Sequence, residues 1–313
     1  MKKDGKQRLI GKLIVYILFI VVALSISVPS TVFACACGCG VFNVGTRWTM
    51  ATEPGLSMFM QYSYMNQNKN WHSQSSASPD LNDNKEIRTS FYTLGIQYMV
   101  NRSWGIMAKI PYGDRYFKTT DDNGNIVSVD HKSLSDVRLM GMYTGFSPDM
   151  STALLFGLKL PTGPYHLSLM DRDTQPGTGT TDLLLGGYHM GQQRNWGWYI
   201  QGLWRHAMNY RDGYRPGDSY NISLGVHYDG LEPKYRLVPL VQVITSIRSH
   251  DSGVASDPDN TGFQRLFISP GIELDITQNW KIHGDFEFPV YTHVNGYQLV
   301  APWLFNTSVS YHF

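Results

Sequence analysis

The last eleven residues, Trp303-Leu-Phe-Asn-Thr-Ser-Val-Ser-Tyr-His-Phe313, alternate with a period of two. Trp303, Phe305, Thr307, Val309, Tyr311 and Phe313 share one face, and Leu304, Asn306, Ser308, Ser310 and His312 share the other. A β-strand with one apolar and one polar side has this pattern. Alternating or turn-bounded segments recur at 55–66, 87–100, 103–112, 134–146, 150–160, 181–191, 196–208, 219–229, 235–248, 262–276, 279–289 and 303–313. Each is near or above the ~9–11 residues that a tilted membrane strand requires.

The connections between these segments sharpen the expectation. Asn101-Arg102, Ser147-Pro148-Asp149, Gln192 to Asn195, Gly230 to Lys234 and Thr277-Gln278 are short. They alternate with long stretches at 67–86, 113–133, 161–180, 209–218, 249–261 and 290–302. The long stretches carry turn chemistry such as Asp121-Asp122-Asn123-Gly124-Asn125 and Arg215-Pro216-Gly217-Asp218. Transmembrane barrels show this asymmetry of tight turns and long loops. The pattern therefore predicts an all-β fold, a transmembrane antiparallel up-and-down β-barrel of about 12 strands. Short periplasmic turns and long extracellular loops complete it.

The N-terminus fits export. Lys2, Lys3, Lys6, Arg8 and Lys12 precede an apolar run from Leu13 to Ser27, and Val32-Phe33-Ala34 offers a cleavage site. The expected organisation is a signal peptide over 1–34, a periplasmic segment over 35–54 and a barrel over 55–313. Cleavage after Ala34 leaves 21 basic and 24 acidic residues, a net of about −3 that gives no reason to expect nucleic acid. Composition agrees with a barrel that is apolar outside and polar inside. Aromatics make up 13% and charged residues 16%, the latter well under the ~25% of soluble domains. The expected partners are outer-membrane lipid, a small-molecule solute and the insertion machinery, which would read the terminal Phe313.

Phasing each segment by its apolar face predicts which side chains point inward. In 279–289, Trp280, Ile282, Phe286 and Phe288 share one face and Lys281, His283, Asp285 and Glu287 the other. A charge facing lipid at mid-depth costs ~2–4 kcal/mol, so the second face is assigned to the lumen. The same phasing adds Lys109, Asp136, Arg138, Lys159, Arg205, Arg265, Glu273 and His312, with Gln201, His227 and Asp275 beside them. A mixed-charge lumen of this kind is either a polar pore that guides solutes or a narrow interior stitched shut by cross-strand pairs.

Two further features carry candidate chemistry. Cys35, Cys37 and Cys39 stand at alternate positions, where three thiolates suit a soft or borderline metal ion. A lipid on Cys35, or a disulfide, are the other readings. No other cofactor is expected. His166-Leu-Ser168 has the spacing of an outer-membrane phospholipase His-x-Ser pair, but it lies in a loop.

The Gly157-Leu-Lys-Leu-Pro-Thr-Gly163 stretch, followed by Gln175-Pro-Gly-Thr-Gly-Thr-Thr-Asp182, resembles the outer-membrane transporter group named after the MetA pathway of phenol degradation. The Cys-x-Cys-x-Cys-Gly-Val-Phe start is similar to a little-characterised set of proteobacterial outer-membrane proteins. The resemblance implies a β-barrel and a transport role, with no catalytic residues. The leading expectation is a passive outer-membrane channel for small solutes. Envelope metal handling, a phospholipase-like enzyme and a structural or adhesive barrel are the alternatives.

Overall fold

The computed structural model describes residues 50, 51, 53–121 and 123–313. The expected signal peptide over 1–34 and Cys35, Cys37 and Cys39 lie outside the described residues. Twelve strands form the wall: β1 (Gly55–Gln67), β4 (Glu86–Met99), β5 (Trp104–Thr120), β7 (Arg138–Tyr143), β8 (Thr152–Lys159), β9 (Asp182–Gln193), β10 (Trp196–Ala207), β11 (Ser219–Tyr228), β12 (Leu237–Arg248), β13 (Phe263–Asp275), β14 (Trp280–Val300) and β15 (Leu304–His312). Three more, β2 (Lys69–Ser73), β3 (Ser75–Ser76) and β6 (Ile126–Leu134), lie in the long connections. Each wall strand pairs antiparallel with its neighbour in sequence order, and β1 closes the ring against β15, from Ser57↔His312 to Met65↔Leu304. The expected closed barrel of twelve strands is the fold observed. Closure leaves no unpaired edge, which a sheet in hydrocarbon requires.

The wall is inside-out relative to a soluble sheet. Along β11, Ser219, Asn221, Ser223 and His227 are buried while Tyr220, Ile222, Leu224 and Val226 are exposed. Ser223 is 0% accessible and Leu224 45%. Alternation of this sense places the apolar side chains on the outer surface, the face a bilayer covers. Aromatic pairs mark both rims. Trp104–Tyr143, Trp196–Tyr228 and Trp280–Tyr311 lie 4.7–4.8 Å apart at the short-turn end. Tyr64–Trp303 and Trp204–Tyr220 lie at the other. Tyr and Trp prefer this interfacial level because one end of each ring is apolar and the other polar.

Three expectations about where strands begin and end need correction. The 113–133 stretch is largely strand: β5 runs on to Thr120 and pairs with β6, from Tyr112↔Leu134 to Thr120↔Ile126, around the Asp121–Asn125 turn. The 290–302 stretch is also mostly strand. Beyond Val294, β14 bends at Gly296 (φ +49°) and pairs with β2. Conversely, residues 135–137, expected within the fourth strand, are irregular. Val, Thr, Tyr and Phe around the Asp-Asn-Gly turn favour extended pairing wherever a partner is available, so hairpins grow past the membrane layer.

Candidate functional site: the barrel lumen

Inward positions of the wall carry the ionisable residues. On β14, His283, Asp285 and Glu287 are buried, and Lys281 keeps 38% of its side chain accessible. Lys281 Nζ lies 3.2 Å from Glu273 and 3.0 Å from Asp275 on β13. His283 Nε2 is 2.8 Å from Asp285, whose second oxygen accepts from Ser269 at 2.8 Å. Asn306 on β15 donates to Glu287 at 2.8 Å. Arg265 is buried and donates to the Leu299 carbonyl. These groups form cross-strand ladders inside the ring, where polar partners replace water. His312 sits instead at the short-turn rim, 2.9 Å from Ser57 Oγ and 3.6 Å from Glu53.

The strongest polar cluster gathers the two motif stretches. Asp136 Oδ2 lies 2.6 Å from Lys159 Nζ, which also approaches Asp182 at 3.2 Å. Arg205 Nη1 is 3.7 Å from the same Asp182 oxygen. Backbone N–H groups of Gly163 and Thr178 donate to Asp136 at 3.1 and 3.0 Å, and the Thr178 hydroxyl at 3.0 Å. The Thr178 hydroxyl also bonds Lys159. The Pro161-Thr162-Gly163 and Gln175-Pro176-Gly177 arms thus cross over one buried ion pair. A Cβ on Gly177 would come within 2.3 Å of the Gly163 carbonyl oxygen, so the crossing demands glycine.

This crossing folds the 160–181 connection into the barrel. Met170 packs with Ile87, Phe117 and Leu299 in an apolar cluster. Gln175 donates to the carbonyls of Leu167 and Met170 at 3.0 and 2.9 Å and accepts from Leu167 N at 2.9 Å. Arg115, buried on β5, donates to the carbonyls of Thr174 and Gln175 and to Thr89 Oγ1. Sequence reading missed Arg115 because it placed 113–133 in a loop. It also missed Arg248, which meets Asp251 at 2.6 Å while Asp251 accepts from Tyr214 and Gly217 N. The acidic Asp171–Asp173 run caps the folded-in loop, and Lys85 Nζ reaches Asp171 at 3.1 Å.

At the short-turn end the interior turns apolar. Met50 and Ala51 are buried among Met99, Met107, Met140, Met142, Met150, Tyr188 and Tyr199. Tyr188 OH donates to the Ala51 carbonyl at 3.2 Å. Met107 and Lys109 share an inward face, as do Arg138, Met140 and Met142. Parity identified the inward face, but not that its lower part would be methionine.

Four cavities lie between the two ends, neighbouring ones sharing a lining residue. One of about 410 Å³ opens among the long loops and is lined by Lys85, Arg172 and Asp173. It shares Asp173 with a cavity of about 80 Å³ beneath the folded-in loop. That cavity shares Lys109 with one of about 30 Å³ at the methionines. This in turn shares Met50 with a cavity of about 300 Å³ at the short-turn mouth. His166, the proposed phospholipase base, faces Asp212 at 3.0 Å, and no hydrogen bond joins it to Ser168 among the described residues.

No protein-family model and no curated protein matches the chain by sequence. Among solved structures, an outer membrane channel from Pseudomonas putida F1 matches 87% of this chain and 100% of its own at a TM-score of 0.68, with 10% identity. The β domain of the Bordetella autotransporter BrkA matches 83% and 100% at 0.51, with 14% identity. A mutant of the TodX monoaromatic hydrocarbon channel matches 93% and 98% at 0.50, with 10% identity. This chain has the fold of outer-membrane β-barrels.

Proposed function

We propose that the protein is a bacterial outer-membrane channel through which small solutes move passively. The short-turn end is periplasmic and the long-loop end faces outside. The observation that carries this reading is the set of four cavities inside the ring, neighbouring ones sharing Asp173, Lys109 and Met50 in their linings, within a wall that is charged above and methionine-lined below. The fold of the Pseudomonas putida F1 outer membrane channel supports the same reading. In this conformation the path is narrowed twice, by the 160–181 loop and by Met50. Opening is therefore part of the function.

The test is single-channel recording of the refolded protein in a planar bilayer, with reversal potentials under a salt gradient. Discrete steps are expected, and Lys281→Glu should move the reversal potential toward cation selectivity because Lys281 sits half-exposed in the lower wall. A folded barrel that conducts nothing at any voltage would overturn the channel reading.

A further inference from the structure

Methionine is concentrated at one level of the lumen. Of the eleven buried residues in the apolar cluster at the short-turn end, six are methionine: Met50, Met99, Met107, Met140, Met142 and Met150. The three other buried clusters of the described residues hold only Met65 and Met170 among twelve. A seal needs only apolar volume, and Leu, Ile or Val fill space with better-defined rotamers than Met. What methionine adds is a thioether, a soft donor of the kind that selects Cu(I).

The fold gathers these sulfurs. Met107 on β5 stands directly opposite Met140 on β7, and Cβ atoms of such pairs lie ~4.5–5.5 Å apart. In the next row Gly105 stands between Met99 and Met142. Gly105 has no side chain, and Met99 Sδ occupies the space that a Cβ there would take. Met50 arrives from the segment before β1. Tyr188 on β9 holds that segment by donating to the Ala51 carbonyl at 3.2 Å, and the same oxygen lies 3.9 Å from Met142 Sδ. Met50, Met107, Met140 and Met142 together line the cavity of about 30 Å³, which matches the ~30 Å³ share of a single water. A hard cation entering it would exchange its hydration shell for weakly binding thioethers, and the Lys109 ammonium at the cavity edge would repel it. A soft ion recovers that loss through its bonds to sulfur. We propose that Met50, Met107, Met140 and Met142 form a binding site for one soft monovalent metal ion, Cu(I), inside the barrel. The inference rests on the channel reading only for the ion's route to the site.

Silver nitrate, a redox-stable probe of the same softness, tests the site when titrated in chloride-free buffer into the folded full-length protein with its cysteine thiols blocked by N-ethylmaleimide. NMR of isotope-labelled methionine methyl groups reads the result without requiring conduction. One set of lumen methyl signals should shift and saturate at one equivalent of Ag(I), while Met60, exposed on the outer face of β1, stays unchanged. Met107→Leu with Met140→Leu removes two thioethers at nearly constant volume and should weaken binding at least tenfold. Lys109→Gln removes the repelling charge and should tighten it. Folding of each variant is checked by heat-modifiable gel mobility, and Met140→Leu alone carries the same direction should the double variant fail to fold. No shift at stoichiometric Ag(I), an equal shift at Met60, or an affinity untouched by the leucine substitutions or by Lys109→Gln overturns the site. Conductance without Ag(I) binding overturns the site and leaves the channel standing. Ag(I) binding by a barrel that never conducts leaves the site and overturns the channel.

Discussion

Asp136→Ala should release the folded-in loop without opening the barrel. The carboxylate accepts from the backbone of Gly163 and Thr178, from the Thr178 hydroxyl and from Lys159, tying both arms of the loop to the wall. Removing one partner of a buried ion pair costs ~3–5 kcal/mol. Lys159 keeps Asp182 and the Thr180 carbonyl at 3.1 Å, so the lower figure applies. A loss of ~3 kcal/mol raises the open population of the loop by roughly 150-fold, at 1.4 kcal/mol per factor of ten. Arg172 is the one Lys or Arg between 160 and 181 and is held by the Thr178 carbonyl at 2.6 Å. Trypsin cleavage at this single site therefore reports the open fraction when reclosing outpaces cutting. Cleavage of the folded variant should accelerate about a hundredfold, with a parallel rise in conductance. Asp136 lies between strands, so the barrel ladder stays intact and gel mobility of the unheated protein should not change. Parental cleavage rate and conductance in a folded Asp136→Ala barrel would refute the latch.

Three further outcomes are expected. Met50→Ala should widen the short-turn constriction and at least double the unitary conductance in planar bilayers, because Met50 borders the two lowest cavities of the series. Lys85, in the connection before β4, feels burial pulling its pKa down, but Asp171 and Asp83 outweigh it and the net value is raised above 10.5. Its tie to the loop is therefore complete below pH 10.5 and lost as pH climbs through the raised value. Conductance should stay flat from pH 7 to 10 and rise above about 10.5, and Lys85→Met should show the alkaline behaviour already at pH 7. Deleting Phe313, whose N–H donates to the Leu56 carbonyl at 2.9 Å, should cut the folded protein recovered in outer membranes several-fold. Thermal stability of the refolded barrel should change little.

The barrel was legible because its selection rule is local. A residue such as Leu224 or Ser223 is sorted by the parity of its own strand alone, and lipid outside makes the penalty for a wrong phase large. Lys281, His283, Asp285 and Glu287 could be placed together for the same reason. The folded-in loop was not legible, since Pro, Gly and Thr between 160 and 181 serve a turn equally whether it points outward or inward. What decides its direction is non-local: Arg115 on an extended β5, Asp136 in an irregular stretch and the close approach of Gly163 to Gly177. The Pro-Thr-Gly and Gln-Pro-Gly-Thr-Gly stretches did stand out, and their glycines prove to be the crossing itself. The methionine closure escaped notice because an inward Met and a lipid-facing Met look alike in a pattern of apolar positions.

The two constrictions differ in the physics that holds them, and that difference assigns them different roles. At the long-loop end, Asp136, Arg115 and Gln175 make directional bonds to particular backbone atoms. Such a latch is either made or broken, because partial displacement strands several buried polar groups at once. At the short-turn end, Met50 meets thioethers with three rotatable bonds each, and a methionine surface repacks around changes of shape at small cost. The loop is therefore the switch-like element of the lumen and the methionine cluster its compliant one.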